Sequence, residues 1–279
     1  MPELPEVESI RRHLKPLIIG KTITSIRILE KKQFFGNPKS IIGQKITALE
    51  RKGKVMSFKT ENGLYMNFHL KLTGQILFSK NIDRAVFKNK VPFTQSSKMP
   101  GKTTRIIIGF RDGSVLFFND LRKFGWIKVS SRPEVPDSLD ILDKNFSLDY
   151  FKKAVLSSGR PVKILLLDQD KMAGIGNIYA NDSLFIAGIN PLRKSNSLTD
   201  HEINKLYLAI KKIILEGLKH KGSSGADEAF ILPDASKGGQ QNYFKVYQRE
   251  NQPCLNCNSR ITRIKHGGRS SFFCPKCQT

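Results

Sequence analysis

Apolar positions at the start of the chain recur at helical spacing. Val7, Ile10, Leu14 and Leu17 fall at steps of three and four, and Gly20 follows as a stop, so a helix is expected over Glu6–Leu17. From Thr22 to about Val129 the pattern changes to short β-rich runs: Thr22–Leu29, Lys45–Glu50, Lys54–Lys59, Leu64–Leu70, Gly74–Phe78, Thr104–Phe110 and Ser114–Phe118. Asn62-Gly63 and Asp112-Gly113 are hairpin turn signals. This many short strands predicts a sandwich or barrel. Asn81–Lys102 is polar, lysine-rich and weakly patterned, and reads as a long loop or insertion. Ser130–Asp140, with Pro133 and Pro136, reads as a linker.

Helical spacing then takes over. Leu148–Leu156 and Val162–Leu167 are short helix candidates, and Ala173-Gly174-Ile175-Gly176-Asn177 is a tight turn into Ile178–Ala187. Thr199-Asp200-His201-Glu202 has capping-box spacing and opens a helix with Ile203, Leu206, Ile210, Ile213 and Leu218 on one face. Gly222–Gln241 is a glycine-containing loop with little periodicity. The chain therefore orders itself as β domain, linker, helical domain, loop and a terminal cysteine module.

Charge narrows the choice of partner. Lys and Arg total 47 against 24 Asp and Glu, a net +23 in 279 residues. Such an imbalance points to a polyanion, nucleic acid first and an anionic membrane surface second. No apolar run is long enough to span a bilayer and the N-terminus lacks a signal layout, so a cytoplasmic protein is expected.

All four cysteines lie in the terminal module as Cys254-x2-Cys257 and Cys274-x2-Cys277, a spacing that presents four thiolates tetrahedrally to one Zn2+. In a module this small the metal stands in for a core. The surrounding Lys245, Arg249, Arg260, Arg263, Lys265, Arg269 and Lys276, against Glu250 alone, suit phosphate contact.

At the other end, Met1-Pro2-Glu3-Leu4-Pro5-Glu6-Val7-Glu8 supports two readings. With Met1 removed, Pro2 becomes a free secondary amine with a pKa near ~8, against ~10.4 for lysine, and so a competent nucleophile toward an aldehyde-like carbon. Glu3 beside it can move protons. Alternatively, Pro5, Glu6 and Glu8 simply suit the start of a helix. Gly174-Ile175-Gly176-Asn177 either lets backbone amides approach a phosphate at a helix N-terminus or is turn geometry alone. Arg51-Lys52-Gly53-Lys54 is a basic turn between strands. In Asp120-Leu121-Arg122-Lys123-Phe124-Gly125 an arginine stands two residues from an aromatic, either a buried strand end or a wedge for a base stack.

In combination these stretches, with His69-Leu70-Lys71-Leu72-Thr73-Gly74 and Leu165-Leu166-Leu167-Asp168-Gln169, resemble the formamidopyrimidine-DNA glycosylase family, relatives of endonuclease VIII, over essentially the whole chain. The resemblance implies an α+β multidomain protein. A β-sandwich with its leading helix would occupy 1–132, a helix-two-turn-helix domain 133–240 and a zinc-ribbon finger 241–279, with DNA in the cleft between domains. It implies a bifunctional glycosylase/AP lyase of base-excision repair that excises oxidised purines (formamidopyrimidines and 8-oxoguanine) and nicks by β,δ-elimination. It also implies a monomer acting on double-stranded DNA that contains damaged bases or abasic sites. Pro2 matches the nucleophile, Glu3 the acid/base and Lys54 the hairpin lysine. Asn177 and Arg269 match the pair clamping phosphates around the flipped nucleotide, Leu72, Arg122 and Phe124 match the residues inserted into the vacated stack, and His69 falls within a matching DNA-contact stretch.

Several positions depart from the family's pattern. Leu72 replaces methionine, Thr103-Thr104-Arg105 replaces a His-Asp-His run, and Asp182 replaces glutamate. A lysine expected on the helix after the linker has no clean match, leaving Arg160 as a substitute DNA contact. The lesion-side loop reads Ser223-Ser224-Gly225-Ala226-Asp227-Glu228 in place of a Ser-Thr-x-Arg-Asp-like run. These departures bear on substrate choice. The competing readings are an oxidised-pyrimidine glycosylase of endonuclease VIII type and a non-catalytic zinc-dependent DNA-binding protein.

Overall fold

The first helix, α1 (Leu4–Ile18), starts ahead of the apolar period because its first turn supplies its own cap. Glu3 donates its backbone N–H to Glu6 Oε2 at 2.8 Å, and Pro5 costs nothing where no intrahelical donor is needed. Val7, Ile10, Leu14 and Ile18 are buried, whereas Leu17 is only partly covered. The computed structural model of the protein describes residues 1–94, 96–225 and 229–279, in two compact units.

The first unit comprises residues 1–135 with 220–241. Its strands are β1 (Ile23–Ile28), β2 (Phe34–Phe35), β3 (Ile46–Lys52), β4 (Val55–Thr60), β5 (Tyr65–His69), β6 (Gly74–Ser79), β7 (Val86–Val91), β8 (Ser96–Lys98), β9 (Thr104–Phe110), β10 (Val115–Asp120) and β11 (Trp126–Ser130). One sheet runs β1-β9-β10-β6 and the other β2-β11-β5-β4-β3. A core that includes Phe58, Phe68, Ile106, Ile108, Leu116 and Phe118 lies between them, with α1 packed into it, so the β-sandwich with a leading helix is realised.

Asn81–Lys102, expected to be a loop, instead contains the β7–β8 hairpin. Its Ala85, Phe87, Val91 and Met99 cover the outer face of the first sheet at Leu77, Ile107, Val115 and Phe117. The consecutive apolar residues Ile106-Ile107-Ile108 and Val115-Leu116-Phe117-Phe118 follow from this arrangement. Successive side chains point to opposite faces of a strand, and here both faces are buried.

Residues 220–241 were expected in the helical domain but fold with the sandwich. Phe230 and Leu232 enter the main core, while Ile231 and Ala235 join the hairpin cluster. Gln75 Nε2 donates to Ala229 O at 2.9 Å, Phe78 N to Pro233 O at 2.9 Å, and Asn89 Nδ2 to Ala235 O at 3.1 Å. The departures Ala226, Asp227 and Glu228 lie outside the described residues.

The second unit comprises 136–219 with 242–279. It holds α2 (Leu148–Leu156), α3 (Val162–Leu166), α4 (Asn177–Ala187), α5 (Asp200–Lys219) and a terminal hairpin of β12 (Thr262–His266) and β13 (Arg269–Phe273). The cysteine module, expected as a separate domain, joins these helices through buried polar groups. Asp182 accepts the N–H groups of Lys245, Val246 and Tyr247, each at 3.0 Å, and Asn181 Oδ1 accepts Phe272 N–H at 2.7 Å. Between α3 and α4, Gln169 stitches two successive turns: its Nε2 donates to Leu167 O and Ile175 O, and its Oε1 accepts from Gly174 N.

Candidate active site and zinc centre

Pro2 and Glu3 are buried at the head of α1. Glu6 fixes them from below: one carboxylate oxygen takes the Glu3 N–H and the other takes the Ser223 N–H at 2.8 Å. Gly222 makes this approach feasible. Its φ is +79°, and a Cβ there would lie 2.9 Å from Glu6 Cγ. One carboxylate thereby joins the N-terminal residues to the start of the 222–241 loop.

Lys54 sits in the two-residue turn closing the β3–β4 hairpin, where Lys52 pairs with Val55, and it is only 8% exposed. Gly53 supplies the positive φ that the turn needs. Val55 pairs with His69 on β5, so the lysine turn and His69 share one end of the sheet. His69 Nδ1 accepts the Lys71 N–H at 3.0 Å, leaving Nε2 as the proton-bearing nitrogen. Burial, reinforced by the charges of Lys71 and Lys54, holds its pKa at about 3, so the ring is a neutral donor at physiological pH.

The candidate wedge is organised by Asp120. Its Oδ2 accepts Gly125 N at 2.7 Å and Gln33 Nε2 at 2.8 Å, while its Oδ1 accepts Thr73 Oγ1 and, at 3.2 Å, Arg122 N. Thr73 Oγ1 accepts Arg122 N as well, at 3.0 Å. The turn bearing Leu72 and the turn bearing Arg122 and Phe124 are thus pinned by a single buried carboxylate. Arg122 stacks over Phe124 at 4.9 Å, and Phe124 remains 53% exposed. A large aromatic left exposed on a rigid turn is available for stacking. Thr103 and Thr104, which replace the His-Asp-His run, are buried; Thr104 Oγ1 donates to Asn119 Oδ1 at 2.8 Å and Arg105 Nε to Asp120 O at 2.8 Å. Through Arg105 this stretch supports the backbone of Asp120, which organises the candidate wedge.

In the second unit, Asn177 opens α4 and donates from Nδ2 to Ser270 O at 3.1 Å. The exposed Arg269 immediately precedes Ser270, so the structure brings Asn177 and Arg269 to one place. Lys163, missed in the sequence reading, is the third member. Fully buried on α3, it donates from Nζ to Ser270 O at 2.6 Å and Ser271 Oγ at 2.8 Å. Its signal was a lysine inside the apolar stretch Val162–Leu166. Arg160 lies elsewhere, its Nη2 engaged by Asp168 Oδ2 at 2.5 Å.

The four cysteine sulfurs lie within 4.8 Å of one another. Sγ of Cys254 is 3.9 Å from that of Cys277, and Sγ of Cys257 is 3.5 Å from that of Cys274. Zn–S bonds of about 2.3 Å in a tetrahedron require S–S edges of about 3.8 Å, so the donor set fits Zn2+. These separations are far beyond a disulfide bond length of ~2.05 Å. The backbone N–H groups of Asn256 and Cys277 point at Cys254 Sγ and Cys274 Sγ, each at 3.4 Å, as donors for thiolates.

The fold and these sites define a multidomain protein with a zinc finger and an N-terminal Pro-Glu at the head of a buried helix. Family models match in three consecutive pieces: the formamidopyrimidine-DNA glycosylase N-terminal domain over 1–127, its H2TH domain over 138–228, and a zinc finger found in FPG and IleRS over 251–279. The formamidopyrimidine-DNA glycosylase of Pelotomaculum thermopropionicum is 34% identical over 295 residues, covering 100% of this chain and 99% of its own. The MutM (Fpg) protein from Thermus thermophilus superposes with a TM-score of 0.87 at 32% identity, covering 99% of this chain and 98% of that one. The Lactococcus lactis Fpg, solved with DNA containing an abasic site, matches at TM-score 0.84 and 27% identity over 100% of both chains. The chain belongs to the formamidopyrimidine-DNA glycosylase family, and its four cysteines form that family's zinc finger around one structural Zn2+.

Proposed function

We propose that the protein, a base-excision DNA glycosylase by family, uses Pro2 as its nucleophile on duplex DNA that carries a damaged base or an abasic site. The observation that carries this reading is the mounting of Pro2-Glu3: Glu6 fixes the Glu3 backbone at the head of a buried helix, which holds the chain end in one place. This chemistry requires that Met1 be removed, because a retained methionine would lock the Pro2 nitrogen in a peptide bond; intact mass of the protein reads this directly.

The Pro2 nitrogen attacks C1′ of a flipped nucleotide, the glycosidic bond breaks, and the base departs with its electron pair and a proton. Glu3 protonates the ring oxygen as the sugar opens, giving a cationic iminium between C1′ and the proline nitrogen. That cation acidifies the C2′ proton. Its loss expels the 3′ phosphate, and a second elimination expels the 5′ phosphate. Flipping is required because C1′ and the base are otherwise enclosed in the stack. Lys54 stabilises phosphate charge near the reacting sugar. Asn177, Arg269 and the Lys163-held turn grip the flanking backbone. Leu72, Arg122 and Phe124 fill the vacated space, and His69 donates from Nε2. Zn2+ shapes the finger and takes no part in bond making.

Oxidised purines, formamidopyrimidines above all, are the proposed substrates. The Lactococcus lactis relative is solved with Fapy-dG DNA and also with DNA containing an oxidised pyrimidine, so the purine preference rests on Arg122 and Phe124, which resemble the residues that face the orphaned base in formamidopyrimidine-type members. The protein acts as a monomer in the cytoplasm, where duplex DNA is its partner. Among the described residues no helix is long and apolar enough to cross a membrane. Borohydride trapping tests the chemistry: a covalent adduct with an abasic-site duplex is expected, and no adduct from correctly folded protein overturns the lyase. A duplex panel carrying ring-opened guanine, 8-oxoguanine or thymine glycol ranks the substrates. Preference for thymine glycol would replace the purine reading with the endonuclease VIII type.

A further inference from the structure

The first unit contains a buried carboxylate with no part in the chemistry above. Glu8 lies on α1 and is 4% exposed, yet three arginines converge on it. Arg11 reaches it with Nε and Nη2 at 2.8 and 2.7 Å, Arg12 with Nε at 2.8 Å, and Arg51 with Nε at 3.0 Å. An apolar residue would pack the helix as well, since a buried ion pair is a poor way to gain stability alone.

Arg51 gives the cluster a direction. Its Nε faces Glu8, while its Nη1 donates to Gly53 O at 2.9 Å. That carbonyl belongs to the peptide whose nitrogen is Lys54's own. A guanidinium is planar and rigid, so its two bonds fix the turn relative to the helix, which a lysine at position 51 could not do. Arg11 adds a second link from the helix to β3 through Leu49 O, at 3.5 Å. Pro2 and Glu3 are at one end of this chain of contacts and Lys54 is at the other.

We propose that Glu8 and Arg51 are positioning residues for the reaction, their ion pair setting the placement of Lys54 relative to the N-terminal amine. The inference rests on the reading of Pro2 and Lys54 as reacting groups. Burial works to raise the Glu8 carboxyl, but the three guanidiniums outweigh it and hold its pKa at about 2, so the pair is ionised wherever the enzyme works.

The test uses the full-length, zinc-loaded protein with Glu8→Gln, Arg51→Lys and the double variant. Single-turnover excision, Kd for a duplex bearing a stable abasic-site analogue, and thermal melting are measured together. Misplacement by about an ångström costs up to about a hundredfold in rate, so a fall of about tenfold or more is expected, with Kd held within about threefold. The double variant should fall no further than Glu8→Gln alone, because both changes break one chain of contacts. Arg51→Lys keeps the charge and the ion-pair option, and so keeps the test informative if Glu8→Gln folds poorly. A lower melting temperature and smaller reactive fraction, with an unchanged rate constant in the folded protein, would overturn the proposal in favour of plain stabilisation. Pro2→Gly and Lys54→Ala run alongside. If those two keep full rates, the site reading itself is at fault; if they lose rate while Arg51→Lys and Glu8→Gln do not, only the positioning role fails.

Discussion

Single residues carry much of the site through polar contacts that hydropathy does not reveal. Lys163 is the clearest case, a fully buried cation whose ammonium holds the backbone of the Arg269 turn. Hydrogen bonds to a charged group contribute about 1.5–3 kcal/mol each, so Lys163→Met should release that turn. Affinity for an abasic-site duplex should drop while zinc content and helicity persist; an unchanged Kd would refute the role. Glu8 offers a pH test. Its folded pKa of about 2 lies below the ordinary carboxylate value of 4.5, so its stabilisation is complete above pH 4.5 and is lost as pH falls toward 2. Melting curves of wild type should therefore decline more steeply across that window than those of Glu8→Gln. Parallel declines would show that the cluster does not couple to folding.

Elements explain why the sandwich tolerates so polar a segment as 81–102. Apart from the exposed Val86 the β7–β8 hairpin is polar outward, and its few inward apolar residues close a sheet face that would otherwise lie bare. Phe87 is the largest of its inward side chains. Truncation of a buried phenylalanine costs about 3–5 kcal/mol, and Phe87→Ala should approach the lower end because the site sits at the margin of the fold. Thermal denaturation reads this directly, and a loss under about 1 kcal/mol would mean the hairpin is not part of the cooperative unit. The same cluster holds Ile231 and Ala235, so loosening the hairpin should also loosen the second half of the loop after α5.

At the scale of the molecule, each unit holds its own set of candidate DNA-contact residues, and zinc serves only one of them. The finger's apolar cluster is small, built on Phe185, Val246, Ile261 and Phe272 beside the cysteines. Without metal such a module lacks a core of its own. Chelation should therefore raise the Kd for duplex DNA strongly while the sandwich melts almost as before. Retention of affinity in the metal-free protein would remove the finger from the binding surface.

Local pattern alone determined the leading helix, most strands of both sheets, the helices after residue 147 and the zinc ligands. Period and ligand spacing are properties of short stretches, and neighbours in sequence suffice to write them. Pro2, Lys54, Arg122, Asn177 and Arg269 stood out in the sequence through the resemblance of their stretches to the family's motifs, and not through period or spacing. Contacts between distant segments were not legible in it. Residues 81–102 looked like a loop because their inward residues are too few to set a period, and only the doubly apolar β9 and β10 hinted at a cover. Lys163 was invisible as a ligand of the Arg269 turn because its partners lie more than a hundred residues away. The assignment of 220–241 to the sandwich, and of the finger to the helices, likewise depended on which buried polar groups found partners across the fold. The tertiary structure decided those, because a buried hydrogen bond is specified by geometry and not by the composition of either strand.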